Sequence, residues 1–258
     1  MADRGQQARA RAAQRALDEH LRKAGRSKRF GLLGMIAQVL FVVFVVVPVV
    51  WVIVYRFVDP PATALMIMRA ADGERISHTP VSLDEMSPHI VRALIASEDQ
   101  KFCEHDGFDV EAIQRALESN QEGGRLRGGS TISQQTAKNL FLWPSRSWIR
   151  KGAEAYFTFL IELFWPKRRI MEAYLNVIEF GDGVFGVEAA AQRRFRVAAA
   201  DLTPLRAARL AAVVPSPNRY NAVSPGPYVR RQTQRIMREA QSVRARGAAA
   251  CVLEADRR

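Results

Sequence analysis

The sequence predicts a mainly α domain held behind a single transmembrane helix. Two observations carry this. Residues 31–55 read GLLGMIAQVLFVVFVVVPVVWVIVY, without one charged side chain. From Pro88 onward, apolar residues recur at helical spacing and alternating runs are few. With 258 residues, 48% hydrophobic and 25% charged, the chain suits one good-sized domain. Its 16 Gly, 12 Pro and 2 Cys exclude the collagen-like, low-complexity and disulfide-scaffold classes.

The chain opens with a basic tail over residues 1–30. Arg4, Arg9, Arg11, Arg15, Arg22, Lys23, Arg26, Lys28 and Arg29 stand against Asp3, Asp18 and Glu19. A formal charge of +12 favours an anionic partner: nucleic acid, anionic lipid or a phosphorylated substrate. The tail carries about half of it and lies directly before the apolar span, which favours lipid and topology over nucleic acid. The span over 31–55 is too long for the ~7–15-residue core of a signal peptide, and no small-x-small cleavage site follows. Pro48 is tolerated in a membrane helix, and Trp51 and Tyr55 suit an interfacial belt. The positive-inside rule places the N-terminus in the cytoplasm and the rest outside, in the periplasm of a bacterium with an inner membrane. Nucleic acid would then be on the wrong side.

Residues 56–79, with Pro60-Pro61 and AADGERISHTPV, read as a linker and a short extended segment. A helical domain is expected over 80–245 and a tail over 246–258. HIVRALIASED places Ile90, Leu94 and Ile95 on one face, and VEAIQRALES does so with Val110, Ile113 and Leu117. GAEAYFTFLIELFW and RRIMEAYLNVIEF are strongly helical. Thr203 as N-cap and Pro204 at N1 introduce PLRAARLAAVV. PYVRRQTQRIMREAQSV closes the fold as a basic amphipathic helix. Cys103 and Cys251 can pair in an oxidising compartment, but their spacing does not require it, and two lone thiols read equally well.

Four stretches carry candidate chemistry. In E98-D-Q-K-F-C-E-H-D-G107, Glu98 ends a helix near apolar Ile95 and Phe102, where a raised pKa suits an acid or base. Taken alone, these residues favour a solvated carboxylate, and His105 reads better as a turn stabiliser than as a metal ligand. In G128-G-S-T-I-S-Q-Q-T-A-K-N139, two glycines and a Ser/Thr pair open a helix whose start suits an anion. Thr131, Gln134, Gln135 and Lys138 share one face, as a pyrophosphate or sugar site requires. A capped helix with a wet face explains them equally. Arg150 and Glu154 form an i, i+4 pair at the head of an aromatic-rich helix, either a surface ion pair or the wall of a cleft. Glu179 stands near a helix end before Gly181-Asp182-Gly183, where a C-cap loop is the simpler reading.

The order of these motifs is more specific than any one of them. E-D-x-x-F-x-x-H-x-G, G-G-S-T-I-x-Q-Q-x-x-K-N, R-K-x-x-E, Y-L-N-x-x-E-x-G and L-A-A-V-V-P-S-P-N-x-Y-N resemble the glycosyltransferase family 51 domain over residues 80–240. That module polymerises lipid II into glycan strands. Ala222-Val223 departs from the family's usual Pro after Asn221. With no S-x-x-K in the sequence, the chain is most similar to the monofunctional biosynthetic members, relatives of the glycosyltransferase domain of class A penicillin-binding proteins.

The resemblance implies a lysozyme-like, two-lobed, mainly α glycosyltransferase domain. Glu98 would be the general base that takes the acceptor 4-hydroxyl proton. Lys138 and Arg150 would hold the donor diphosphate, and Glu154 would assist there, directly, through a divalent ion or by orienting Arg150. Asp99, Ser130, Thr131, Gln134, Gln135, Asn139 and Glu179 would shape the sugar and phosphate sites. No cofactor is obligatory; Mg²⁺ or another divalent cation at the diphosphate is optional, since no metal ligand set is visible. The implied partners are lipid II, the lipid-linked chain, the bilayer and candidate proteins of the division or elongation machinery. Moenomycin, a mimic of the growing chain, would block the donor site. An apolar segment around 157–165 is expected to place aromatics on the bilayer. Two readings compete: a lytic enzyme that cuts glycan, which needs no phosphate machinery, and a non-catalytic anchored scaffold, which needs neither Glu98 nor Glu154.

Overall fold

The computed structural model describes residues 15, 34–121, 129–145 and 147–256. The basic tail apart from Arg15, Gly128 and the side chain of Leu117 lie outside the described residues. Contacts divide the chain into two units, between Trp51 and Val52.

In the first unit, Val42–Val46 is π-helical, and the Val47 N–H donates to the Val42 carbonyl. Pro48 explains the wide turn. Its ring crowds the carbonyl four residues back and it brings no N–H, and one extra residue in the turn relieves both. The helical stretch Gly34–Phe57 has 24 residues and is apolar enough to cross a membrane. At ~1.5 Å per residue it reaches about 36 Å, against a ~30 Å hydrocarbon core.

The second unit begins within α1 (Val47–Phe57). Val52 is fully buried. Its carbonyl accepts from Trp165 Nε1 at 2.8 Å, and that of Tyr55 from Arg169 Nη2 at 2.8 Å. Arg56 donates to the Phe164 carbonyl at 2.7 Å. The last turns of the apolar helix are thereby part of the domain. Next come α2 (Ala64–Ala71), capped by Thr63, and β1 (Ser77–His78). β1 pairs in parallel with β2 (Val184–Phe185), Ser77 opposite Val184. The stretch read from sequence as a linker thus carries a helix and a strand. Met66, 2% exposed, anchors the helix, and a two-residue strand has no period to detect.

The domain core is built on α3 (Pro88–Glu98), with Ser87 as N-cap and Pro88 at N1. Ile90, Val91, Leu94 and Ile95 are fully buried. α4 (Val110–Gln121), α5 (Ile132–Phe141), α6 (Trp148–Phe164) and α7 (Lys167–Val177) follow. After α8 (Val187–Phe195), Thr203 and Pro204 begin α9 (Pro204–Val213) as expected, and α10 (Pro227–Ala245) is the basic helix. α3 packs against α9 and α10, while α5 packs against α6 and α7. These two helix groups join at the end of α3.

The C-terminal segment, expected as a tail, is folded onto the domain. Cys103 and Cys251 form a disulfide with Cα atoms 5.6 Å apart. Arg92 grips the buried Asp256 carboxylate with Nε at 3.1 Å and Nη2 at 2.6 Å. Arg168 donates to the Val252 carbonyl at 3.1 Å. Ala249 and Val252 are buried, an apolar signal too short to read by periodicity.

Candidate active site

Glu98 is the last residue of α3. Because the helix ends there, its carboxyl leaves the packed face and reaches a cavity of about 340 Å³. Gln135 Nε2, on α5, donates to Glu98 Oε2 at 2.9 Å. The Tyr174 hydroxyl, on α7, donates to Gln135 Oε1 at 3.4 Å and so holds the amide in that sense. Burial pushes the Glu98 carboxyl above the usual carboxylate range, and the charge of Asp99 adds to this. Gln135 and Lys138 pull the other way. The group has the affinity for a proton that a general base requires.

Asp99 turns inward. Its Oδ1 lies 2.9 Å from His105 Nε2, and its Oδ2 accepts from the Ile132 N–H at 3.0 Å. The Gly107 N–H donates to His105 Nδ1 at 3.1 Å, so His105 is the turn stabiliser its sequence context suggested. Thr131 and Gln134 are a buried capping box: the Gln134 N–H donates to Thr131 Oγ1, and the Thr131 N–H to Gln134 Oε1. The start of α5 read from sequence as an anion site is therefore occupied by the chain's own Asp99. A carboxylate already satisfies the helix dipole there. Thr131 Oγ1 donates to the Gly107 carbonyl at 2.6 Å. Gly107 has φ +88°, and a Cβ on it would stand 2.8 Å from Thr158 Cγ2. Lys167 donates to the His105 carbonyl at 2.5 Å and to Glu162 at 2.8 Å. The residues after Glu98 are thus hydrogen-bonded to α5 and α7 and packed against α6.

Lys138 and Asn139 face a second cavity, of about 470 Å³, with Arg150, Leu65, Trp143 and Ser145. Ser147 caps α6, which sets Arg150 and Glu154 one turn apart. Arg150 Nη1 donates to Glu154 Oε2 at 2.5 Å, and Lys151 pairs with Glu154 Oε1. Arg150 Nε donates to the Ser145 carbonyl at 2.6 Å. Glu154 is buried, so the pair lines a cleft rather than an open surface. Burial lowers the Lys138 pKa; Arg150 and Lys151 push the same way, Glu154 and Glu98 against. Lys138 lines the second cavity, and the charges of both Glu154 and Glu98 act on it. Lys151 was missed as a site residue; its i, i+3 spacing to Glu154 was the available signal.

The remaining predicted residues divide. Ser130 lines the Glu98 cavity. Glu179 pairs instead with Arg69 Nη2 at 3.3 Å, and burial raises its pKa against that partner. Arg69 lies in the expected linker, so no motif pointed to it. Asn176, inside the Y-L-N motif, holds Val81 through both backbone groups, donating to its carbonyl at 2.9 Å and accepting from its N–H at 3.2 Å. At the departure from the family pattern, Asn221 Oδ1 accepts from the N–H groups of Val223 and Ser224.

Glu154 does not offer a divalent cation an open carboxylate. Glu154 is engaged by two cationic side chains, and among the described residues no group of three or more Asp, Glu, His or Cys side chains is placed to hold a metal ion.

The family model for transglycosylases matches residues 65–241. A biosynthetic peptidoglycan transglycosylase of Caulobacter vibrioides is 57% identical over 205 residues, 80% of this chain and 90% of that one. Proteins of the same name from Rhodospirillum centenum and Xylella fastidiosa are 54% and 52% identical, covering 78% and 76% of this chain and 87% and 83% of their own. A family model spanning well over half the chain, together with relatives at this level of identity, places the chain in the transglycosylase family.

Proposed function

We propose that the protein is a peptidoglycan glycosyltransferase that polymerises lipid II into β-1,4-linked glycan strands. The observation that carries the reading is the placement of Glu98. A proton-avid carboxylate opens into one cavity, and Lys138 couples it to a cationic second cavity. Glu98 takes the proton of the acceptor GlcNAc 4-hydroxyl. The freed oxygen attacks the anomeric carbon of the growing chain. The bond from that carbon to the diphosphate oxygen breaks, and the α linkage is replaced by a β linkage. Undecaprenyl diphosphate leaves, its growing negative charge met by Lys138 and Arg150. Glu154 holds Arg150 and Lys151 in place and limits the mutual repulsion of the cations. No step is routed through Mg²⁺.

The anchor fits a substrate with a lipid tail. The orientation proposed is cytoplasmic N-terminus and periplasmic domain in the inner membrane, from the basic tail. Along α6, Trp148, Ile149, Phe159 and Leu163 are exposed, Trp148 at 91%. They supply an apolar edge for the bilayer. Phe157 and Trp165, expected in the same role, are buried in the domain instead.

The test is incubation of detergent-solubilised protein with labelled lipid II, with and without moenomycin, and gel separation of the products. A moenomycin-sensitive ladder that collapses with muramidase supports the reading. Unchanged lipid II from folded protein overturns it in favour of a scaffold, and shortening of preformed glycan overturns it in favour of a cutter.

A further inference from the structure

The cavity that receives Glu98 is edged by a residue from far along the chain, Arg246. Arg246 is the C-cap of α10, and its backbone N–H bonds back to the Ser242 carbonyl at 3.0 Å. Gly247 follows at φ +64°, the left-handed turn that ends many helices. The chain then runs to Cys251, disulfide-bonded to Cys103 in the loop directly after Glu98. Arg92 on Asp256 and Arg168 on Val252 hold the same segment. Arg246 is therefore fixed from both sides: a helix end before it, a covalent clasp after it. The clasp fastens to the segment that positions Glu98.

Charge around this cavity is lopsided. Glu98, Asp99, Glu104 and Asp109 line it, against the cations Lys101 and Arg246. Lys101 is committed to Glu111, with Nζ 2.6 Å from Oε2. Arg246 makes no ion pair among the described residues; its Nε contact is the Ser242 carbonyl at a long 3.4 Å. On the reading of Glu98 as base, this cavity takes the acceptor. An acceptor with a diphosphate and peptide carboxylates needs a cation here, and one is poised.

We propose that Arg246 binds an anionic group of the acceptor, and that the Cys103–Cys251 clasp is the positioning device that holds it there. The inference rests on the proposed glycosyltransferase activity. It adds a substrate contact from a segment that lies beyond every motif.

The experiment uses full-length protein in detergent, preformed glycan at saturation and lipid II varied as acceptor. If wild type builds no polymer, the proposed function fails and not this inference alone. With wild type active, Arg246→Ala is expected to raise the KM for lipid II about five- to tenfold and leave kcat within about twofold. Arg246→Lys falls between, and moenomycin binds both variants as it binds wild type. The paired Cys103→Ser, Cys251→Ser variant raises KM in the same direction, and adding Arg246→Ala to it raises KM little further. A lipid II with its peptide cut back to the first residue and that residue's carboxyl amidated identifies the anion. A persisting Arg246→Ala penalty assigns the diphosphate, and a vanishing one assigns the peptide carboxylates. An unchanged KM in Arg246→Ala, or a loss of moenomycin binding equal to the rise in KM, overturns the contact. An unchanged KM in the cysteine variant overturns the clasp.

Discussion

Gln135 Nε2 donates to Glu98 Oε2 at 2.9 Å, so the ionised form of a deeply set carboxyl is supported by one neutral amide. Burial raises the Glu98 pKa, and this bond restrains the rise. Gln135→Ala removes the restraint. The acid limb of the kcat/KM–pH profile is then expected to move to higher pH, with activity largely recovered above it. A limb that stays in place would take Glu98 out of the role of base.

Glu98→Gln keeps the shape and loses the base. Polymerisation is expected to fall about 10²–10⁴-fold. The stability sign is opposite. A carboxyl with a raised folded pKa is ionised at a cost at neutral pH, and that cost disappears as pH falls through the folded value. The neutral amide removes it at every pH. The variant should melt above wild type at pH 7 and approach it in acid, as thermal scans at several pH values will report.

Lys138 is expected to set the alkaline limb of the kcat/KM–pH profile. Burial lowers its pKa, and Glu154 is the main charge opposing that. Glu154→Gln should move the alkaline limb to lower pH and weaken binding of a diphosphate product. It also leaves Arg150 and Lys151 without their shared carboxylate, so a lower melting temperature accompanies the shift. An alkaline limb unmoved in this variant would show that Lys138 does not govern it.

Much of this site is legible in the sequence, and the misses share a cause. Glu98 at a helix end, the cap at Thr131 and the Arg150–Glu154 pair are all local, within one helical turn of a recognisable start or stop. Arg69 on Glu179, Arg92 on Asp256 and the Cys103–Cys251 bond join residues more than a hundred positions apart. No periodicity encodes such pairs. The start of α5, read as suited to an anion or as a capped helix, receives the Asp99 carboxylate from the end of a different helix.

Asp99→Asn tests that occupant. It leaves the side-chain shape and removes the charge at the start of α5. A loss of about 1 kcal/mol is expected, a fall of about 2–4 °C in melting temperature for a domain of this size. Differential scanning calorimetry reads it directly, and a melting temperature equal to wild type would deny Asp99 the capping role.

A truncation meant to release the domain must keep Val52, whose carbonyl holds Trp165. A chain starting at Val52 is expected to bind anionic lipid vesicles still, through the exposed edge of α6. Trp148→Ser with Ile149→Ser should weaken that binding severalfold in a sedimentation assay. A truncated protein that stays wholly in the supernatant would place the anchoring in the apolar span alone.

Because the Ile132 N–H already donates to Asp99 Oδ2 and the Gln134 N–H to Thr131 Oγ1, neither group is open to a ligand. On the proposed function, the grip on a diphosphate passes to ammonium and guanidinium groups on long stems. Backbone donors form a rigid socket that neither swings nor titrates. Lys138 and Arg150 would form something closer to a hinged latch, weakened by salt and, through Lys138 alone, by alkali. An enzyme that must drop one lipid carrier before each new addition is better served by a latch than by a socket.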